Sequence, residues 1–201
     1  MKPATFIMIL LLLAVLEFPA HSFGEKPLEA LQQGIDAGIS ILKDPRHQDP
    51  TRKDIAQQNL FEVILQIFDF EEFSKGVLAS NWEKFTRRQR KEFVDVFAKF
   101  LGKFYLGKLL ERYRDEKVIY LNQKINSGTR ALVNIRVLWK ELEVPVKIRM
   151  IKRKGMWKAY DVSVFGISAL KNYRAQFKMI LSKESPQQVI DRLKKKIAEL
   201  V

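Results

Sequence analysis

The chain contains no cysteine. Disulfides and thiolate metal sites are therefore excluded, and the fold must rest on its core alone. Histidine is nearly as scarce, with 2 in 201 residues. His21 lies in the N-terminal segment, which leaves His47 in a proline-flanked loop. A serine–histidine triad or a common metal centre has almost no material. No glycine-rich phosphate loop follows a strand pattern. After residue 22 no long apolar run occurs, so no membrane span is expected there. No metal, no cofactor and no catalytic set is read from these residues.

What is present begins with an export pattern. Lys2 is positive, Phe6 to Leu16 is an unbroken apolar run, and Ala20-His21-Ser22 offers small residues for cleavage. Residues 1–22 read as a cleaved signal peptide, and residues 23–201 as one domain. Lys and Arg number 36 against 23 Asp and Glu, a net +13. In an exported protein that excess points to an anionic membrane surface, anionic lipid or an acidic partner, and not to nucleic acid.

Apolar residues first recur at helical spacing. Pro27 to Lys43 carries Leu28, Leu31, Ile35, Ile39 and Leu42 on one face. Asp49-Pro50 suits the start of a second helix, which runs to Phe68. Asp69 begins a third, with Glu72 at the capping-box position. These acids favour the helix dipole and need no catalytic explanation. Thr86 and Gln89 form another capping box ahead of the longest helix. Phe93, Phe97, Phe100 and Phe104 make a wide aromatic stripe along it. Such a stripe is ordinary core more often than a ligand wall. Gly102 and Gly107 interrupt it, leaving room for close packing or a bend.

From Lys117 the period falls to two. Strands are expected over Lys117–Ile125, Thr129–Leu138 and Leu142–Lys152, followed by one beginning near Trp157. Pro145 suggests an edge or a bulge. In the last strand, alternation places Tyr160, Val162 and Val164 on one face and Trp157, Ala159 and Phe165 on the other. Asp161 is its one acid. A buried aspartate is costly without a partner. It is either a structural group bonded to backbone or cation, or a base in a greasy pocket. Gly166 turns the chain, Ser168 caps a helix to about Leu181, and Ser185-Pro186 opens the last helix. The whole reads as α+β, with a helical N-terminal half, a four-stranded antiparallel meander and two C-terminal helices.

The run Trp157-Lys158-x-Tyr160-Asp161-Val162, then Gly166-x-Ser168, then Asn172-Tyr173-Arg174-x-Gln176-Phe177, resembles the closing signature of the MlaC or toluene-tolerance family. Phe68-Asp69-Phe70, Trp82, Thr86-x-x-Gln89-Arg90-x-x-Phe93 and Phe97 to Tyr105 are similar to its helical half. Phe165 departs from the pattern, where many members carry an acid. The resemblance implies an NTF2-like or MlaC-like fold, its sheet curved around a lipid pocket. It implies a periplasmic phospholipid carrier working between an outer-membrane MlaA-type lipoprotein–porin complex and the MlaD-type component of an inner-membrane ABC transporter. It also implies transient contact with a membrane surface.

Two acyl chains carry roughly thirty methylenes, so wetting them costs on the order of 20 kcal/mol. A carrier must enclose them. Periodicity offers Phe73, Trp82, Phe97, Leu101, Val133, Ile135, Val146, Ile148, Tyr160 and Val162 as lining. Lys147, Arg149, Arg174 and Lys178 are candidates for a head-group rim. Two other classes stay open: a small pocket enzyme using Asp161, and a basic exported binder of polyanions or membrane surfaces.

Overall fold

A computed structural model of the chain describes residues 26–47 and 52–200. The expected signal peptide and the Asp49-Pro50 helix start lie outside the described residues. The helices are α1 (Pro27–Lys43), α2 (Lys53–Ile67), α3 (Phe70–Leu78) and α4 (Arg87–Arg112), then α5 (Ala169–Leu181) and α6 (Pro186–Glu199). Short 3-10 turns at Pro45–His47 and Ala79–Lys84 join them. The strands are β1 (Lys117–Ser127), β2 (Arg130–Trp139), β3 (Leu142–Arg153), β4 (Met156–Val164) and β5 (Ile167–Ser168). They form one sheet in chain order, every pair antiparallel.

The sheet thus has five strands where the sequence suggested four. Phe165 at φ +50 and Gly166 at φ +81 turn the chain tightly. Ile167 then pairs with Val164 before α5 begins. Two residues carry too little periodicity to be read as a strand. Ser168 still caps α5, accepting from the Lys171 amide at 3.1 Å.

The helix starts follow their side chains. Thr86 Oγ1 accepts from the Gln89 amide at 3.2 Å, and Gln89 Oε1 accepts from the Thr86 amide at 3.1 Å. Ser185 and Gln188 repeat the exchange at α6. At α3 only half of the expected box forms. Asp69 accepts from the Glu72 amide at 2.8 Å. The Glu72 carboxylate instead takes Arg130 and Arg153, each at 2.7 Å. Arg153 also donates to Asp69 at 2.8 Å, so the start of α3 is clamped onto β2 and β3.

One residue redirects β4. Arg149 faces Asp161, but the next residue, Met150, faces Ala159, leaving Tyr160 as a bulge. An extra residue reverses the alternation beyond it. The expected faces are therefore corrected. Trp157 and Ala159 share the inner face with Val162, against Ala30 and Leu31 of α1. Tyr160 leaves that set, packs on the helical core and lies 4.8 Å beneath the Arg130 guanidinium. Pro145 is not in a bulge, and although β3 has a strand on each side, Pro145 lies at a local edge. β4 ends opposite Val146, so Pro145 has a ladder partner only in β2, Arg136.

Two cores result. One joins α1 to the inner sheet face, and the other gathers α3 to α6 around Phe73, Phe93, Phe97 and Phe177. Phe68 touches both, and the Asp69 amide bonds the Ala159 carbonyl at 2.7 Å. Glycines set the helix spacing. A Cβ on Gly34 would lie 2.3 Å from Ile67 Cγ2, and one on Gly102 2.6 Å from Phe61 Cδ2. α2 therefore sits close against both α1 and α4. Gly107 has nothing within 4 Å of its Cβ position. Gly107→Ala should stabilise the fold by about 0.5–1 kcal/mol through helix propensity, measured by urea denaturation.

Candidate functional site

Asp161 is the first group to place, because it alone offered catalytic chemistry. It is 0% exposed. Its Oδ2 accepts from Ser168 Oγ at 2.7 Å, and its Oδ1 accepts from the Leu170 amide at 3.0 Å. Arg149 Nη1 stands 3.7 Å away. The carboxylate fastens the first turn of α5 to β4, at a helix N-terminus that favours its charge. No open ground lies beside it for a substrate proton. Among the described residues no cluster of three His, Cys, Asp or Glu could hold a metal ion.

Two adjacent apolar pockets, or lobes, lie between the helices and the inner sheet face. The first, of about 460 Å³, is bounded by Ile64, Phe68, Phe70 and Phe73, by Leu101, Tyr105 and Leu106 of α4, and by Val162, Val164, Ile167 and Tyr173. The second, of about 400 Å³, is bounded by Ile35, Ile39 and Leu42 of α1, Leu109 and Tyr113, and Val118, Val137, Trp139, Val144, Val146 and Val164. Val164 belongs to both. It is 41% exposed and Ile167 71%, and Tyr105, Leu109 and Trp139 are exposed too, so the lobes open to solvent along these residues. Among the described residues, Glu116 is the one charged residue lining either lobe. Tyr105 and Tyr173 share a 3.1 Å hydroxyl contact from α4 to α5. Burial, and then this hydrogen bond, hold the Tyr173 phenol well above its ordinary range. It remains a neutral polar group at the wall.

The sequence candidates distribute unevenly. Phe73, Leu101 and Val162 line the first lobe, and Val146 lines the second. Phe97, Val133, Ile135 and Ile148 are buried in the packing and line neither. Trp82 borders a separate polar cleft with Arg87 and Arg90. Tyr160 borders another, on the outer sheet face, with Lys147 and Arg149. Arg174 Nε donates to the Gly76 carbonyl at 2.7 Å, joining α5 to α3. Lys178 is exposed on α5. None of these four cations lines a lobe. The reading missed the α1 contribution, although Ile35, Ile39 and Leu42 stood in its apolar stripe. It also missed Tyr105 and Tyr173.

The sequence model of the MlaC protein family matches residues 32–195. The chain belongs to the MlaC family. It is 26% identical over 170 residues to the toluene tolerance protein ttg2D of Pseudomonas putida, covering 83% of this chain and 79% of that protein. It is 23% identical over 193 residues to the intermembrane phospholipid transport system binding protein MlaC of Haemophilus influenzae, covering 92% and 86%. Its fold matches a phospholipid-binding protein from Ralstonia solanacearum, solved with a phospholipid. The TM-score is 0.76 at 22% identity, over 87% of this chain and 98% of that one. Within this MlaC-family chain the closing signature has a physical meaning. Tyr160 is the bulge, Asp161 and Ser168 secure α5, Tyr173 meets the cavity and Phe177 fills the helical core.

Proposed function

We propose that this chain is a periplasmic phospholipid carrier. It exchanges lipid between an outer-membrane MlaA-type lipoprotein–porin complex and the MlaD-type component of an inner-membrane ABC transporter. The process served is maintenance of outer-membrane lipid asymmetry. The observation carrying this reading is the pair of apolar lobes that share Val164 in their linings, the first also bounded by the exposed Ile167. Each lobe falls within the size range of known small-ligand sites. Two lobes joined at one residue suit a cargo with two tails. The family membership and the named relatives support the same cargo.

The protein performs no bond chemistry in this scheme. A bilayer hides tails as well as the cavity does, so exchange is near balance and the carrier imposes no direction. The ATP-driven partner supplies it. The exposed mouth leaves the head group in water, and Asn172, Tyr105 and Tyr173 offer neutral hydrogen-bonding groups near it. Native mass spectrometry of gently purified protein should show mass increments equal to intact phospholipids. Empty protein, even after incubation with vesicles and transporter, would sink the proposal.

A further inference from the structure

The turn between β4 and β5 carries two large apolar side chains into water. Phe165 is 56% exposed, more than its neighbour Val164, and Ile167 more still. Phe165 holds φ +50, a left-handed region where asparagine or glycine is the easy choice. Its amide donates to the Pro145 carbonyl at 3.2 Å, tying the turn to the start of β3. Phe165 lines neither lobe, yet both its flanking apolar residues, Val164 and Ile167, line the first. An outer-face cleft behind the turn is lined by Gly166 together with Lys147, Arg149 and Arg130. Arg130 is engaged by Glu72, and Arg149 stands 3.7 Å from the Asp161 carboxylate. Leu109 and Trp139, which line the second lobe, are exposed as well.

We propose that this turn docks the cavity mouth on an anionic phospholipid bilayer. Phe165 and Ile167 enter the interface, while Lys147, flanked by the half-exposed Arg149, meets head-group phosphates. The proposal rests on the carrier reading and names the surface that reading would use. An apolar tip with cations directly behind it is the chemistry of interfacial anchors, where each part alone is weak and the two act together. An acidic protein patch would engage the cations and leave the tip wet. A bilayer accommodates both. Seating the mouth at the interface also spares a departing tail its passage through water, since the rim it crosses is apolar.

Vesicle flotation of the purified chain tests this. Vesicles of phosphatidylglycerol and phosphatidylethanolamine should bind it, and phosphatidylcholine vesicles should not. Raising salt from about 50 to about 500 mM should weaken binding at least roughly fivefold. Phe165→Asn should weaken it by roughly tenfold, with bound phospholipid unchanged by native mass spectrometry. Asparagine is at ease at φ +50, so the fold should be kept, as a thermal melt will report. Phe165→Trp should add fluorescence that brominated anionic lipid quenches. Equal vesicle binding by Phe165→Asn and the parent overturns the proposal, as does a tryptophan at 165 that vesicles do not affect. Loss of binding to a membrane-protein partner alone, with vesicle binding intact, overturns it too. A parent that carries lipid but ignores vesicles defeats only the docking. A parent that never carries lipid defeats the carrier reading.

Discussion

Val164→Trp is expected to lower the phospholipid recovered with the protein at least roughly tenfold, while the chain stays folded. Val164 is the residue common to both lobes, so an indole there intrudes on both. It faces free space, so little side-chain packing is disturbed. The thermal response separates this effect from misfolding. Cargo stabilises the parent by mass action, so stripping the lipid should lower the parent melting temperature. The variant should melt at one temperature before and after stripping. Lipid content equal to the parent's would show that the tails lie elsewhere. As a companion, Ile135→Val trims a residue that is buried but lines neither lobe. It should cost about 1 kcal/mol of stability and leave lipid recovery alone.

Asp161→Ala is the larger effect on stability. Removing the carboxylate strands the Ser168 hydroxyl and the Leu170 amide inside the protein. It also leaves Arg149 without its buried counter-charge. Hydrogen bonds to charged groups contribute about 1.5–3 kcal/mol each, and orphaned donors cost about as much as the bonds lost. A loss of roughly 3 kcal/mol is expected in urea denaturation. Asp161→Asn should lose less, since its oxygen can still accept one of the two bonds. A change below about 1 kcal/mol for alanine would contradict the structural role. The effect reaches the cavity, because Asp161 secures the start of α5, whose Ala169 and Tyr173 bound the first lobe.

The sequence disclosed elements better than spaces. α1 was bounded correctly because Pro27 starts it and Asp44-Pro45 stops it. The Thr86 and Ser185 starts were legible because a cap is a local side-chain bond. The bulge at Tyr160 escaped, yet a trace was present. Apolar residues sit at odd positions through Trp157 and Ala159, then at even positions through Val162 and Val164. That change of phase is what one inserted residue leaves behind. The cavity was harder, because periodicity says which way a side chain faces and not what it meets. Phe97 and Leu101 lie one turn apart on α4, yet one is core and the other bounds a lobe. α1 divides similarly along its length. Ala30 and Leu31 are packed against the sheet, Ile35 touches both that core and the second lobe, and Ile39 and Leu42 face the lobe. Nothing in the apolar stripe marks where packing stops. The cations misled for a related reason. Lys147 and Arg149 alternate with Val146 and Ile148, and that alternation puts them through to the opposite face.

Two of the close glycine contacts bear on the wall of the first lobe. α2 acts as a spacer of fixed thickness, with Gly34 setting one side and Gly102 the other. α2 also carries Ile64, which bounds the first lobe, so these contacts fix where that wall stands.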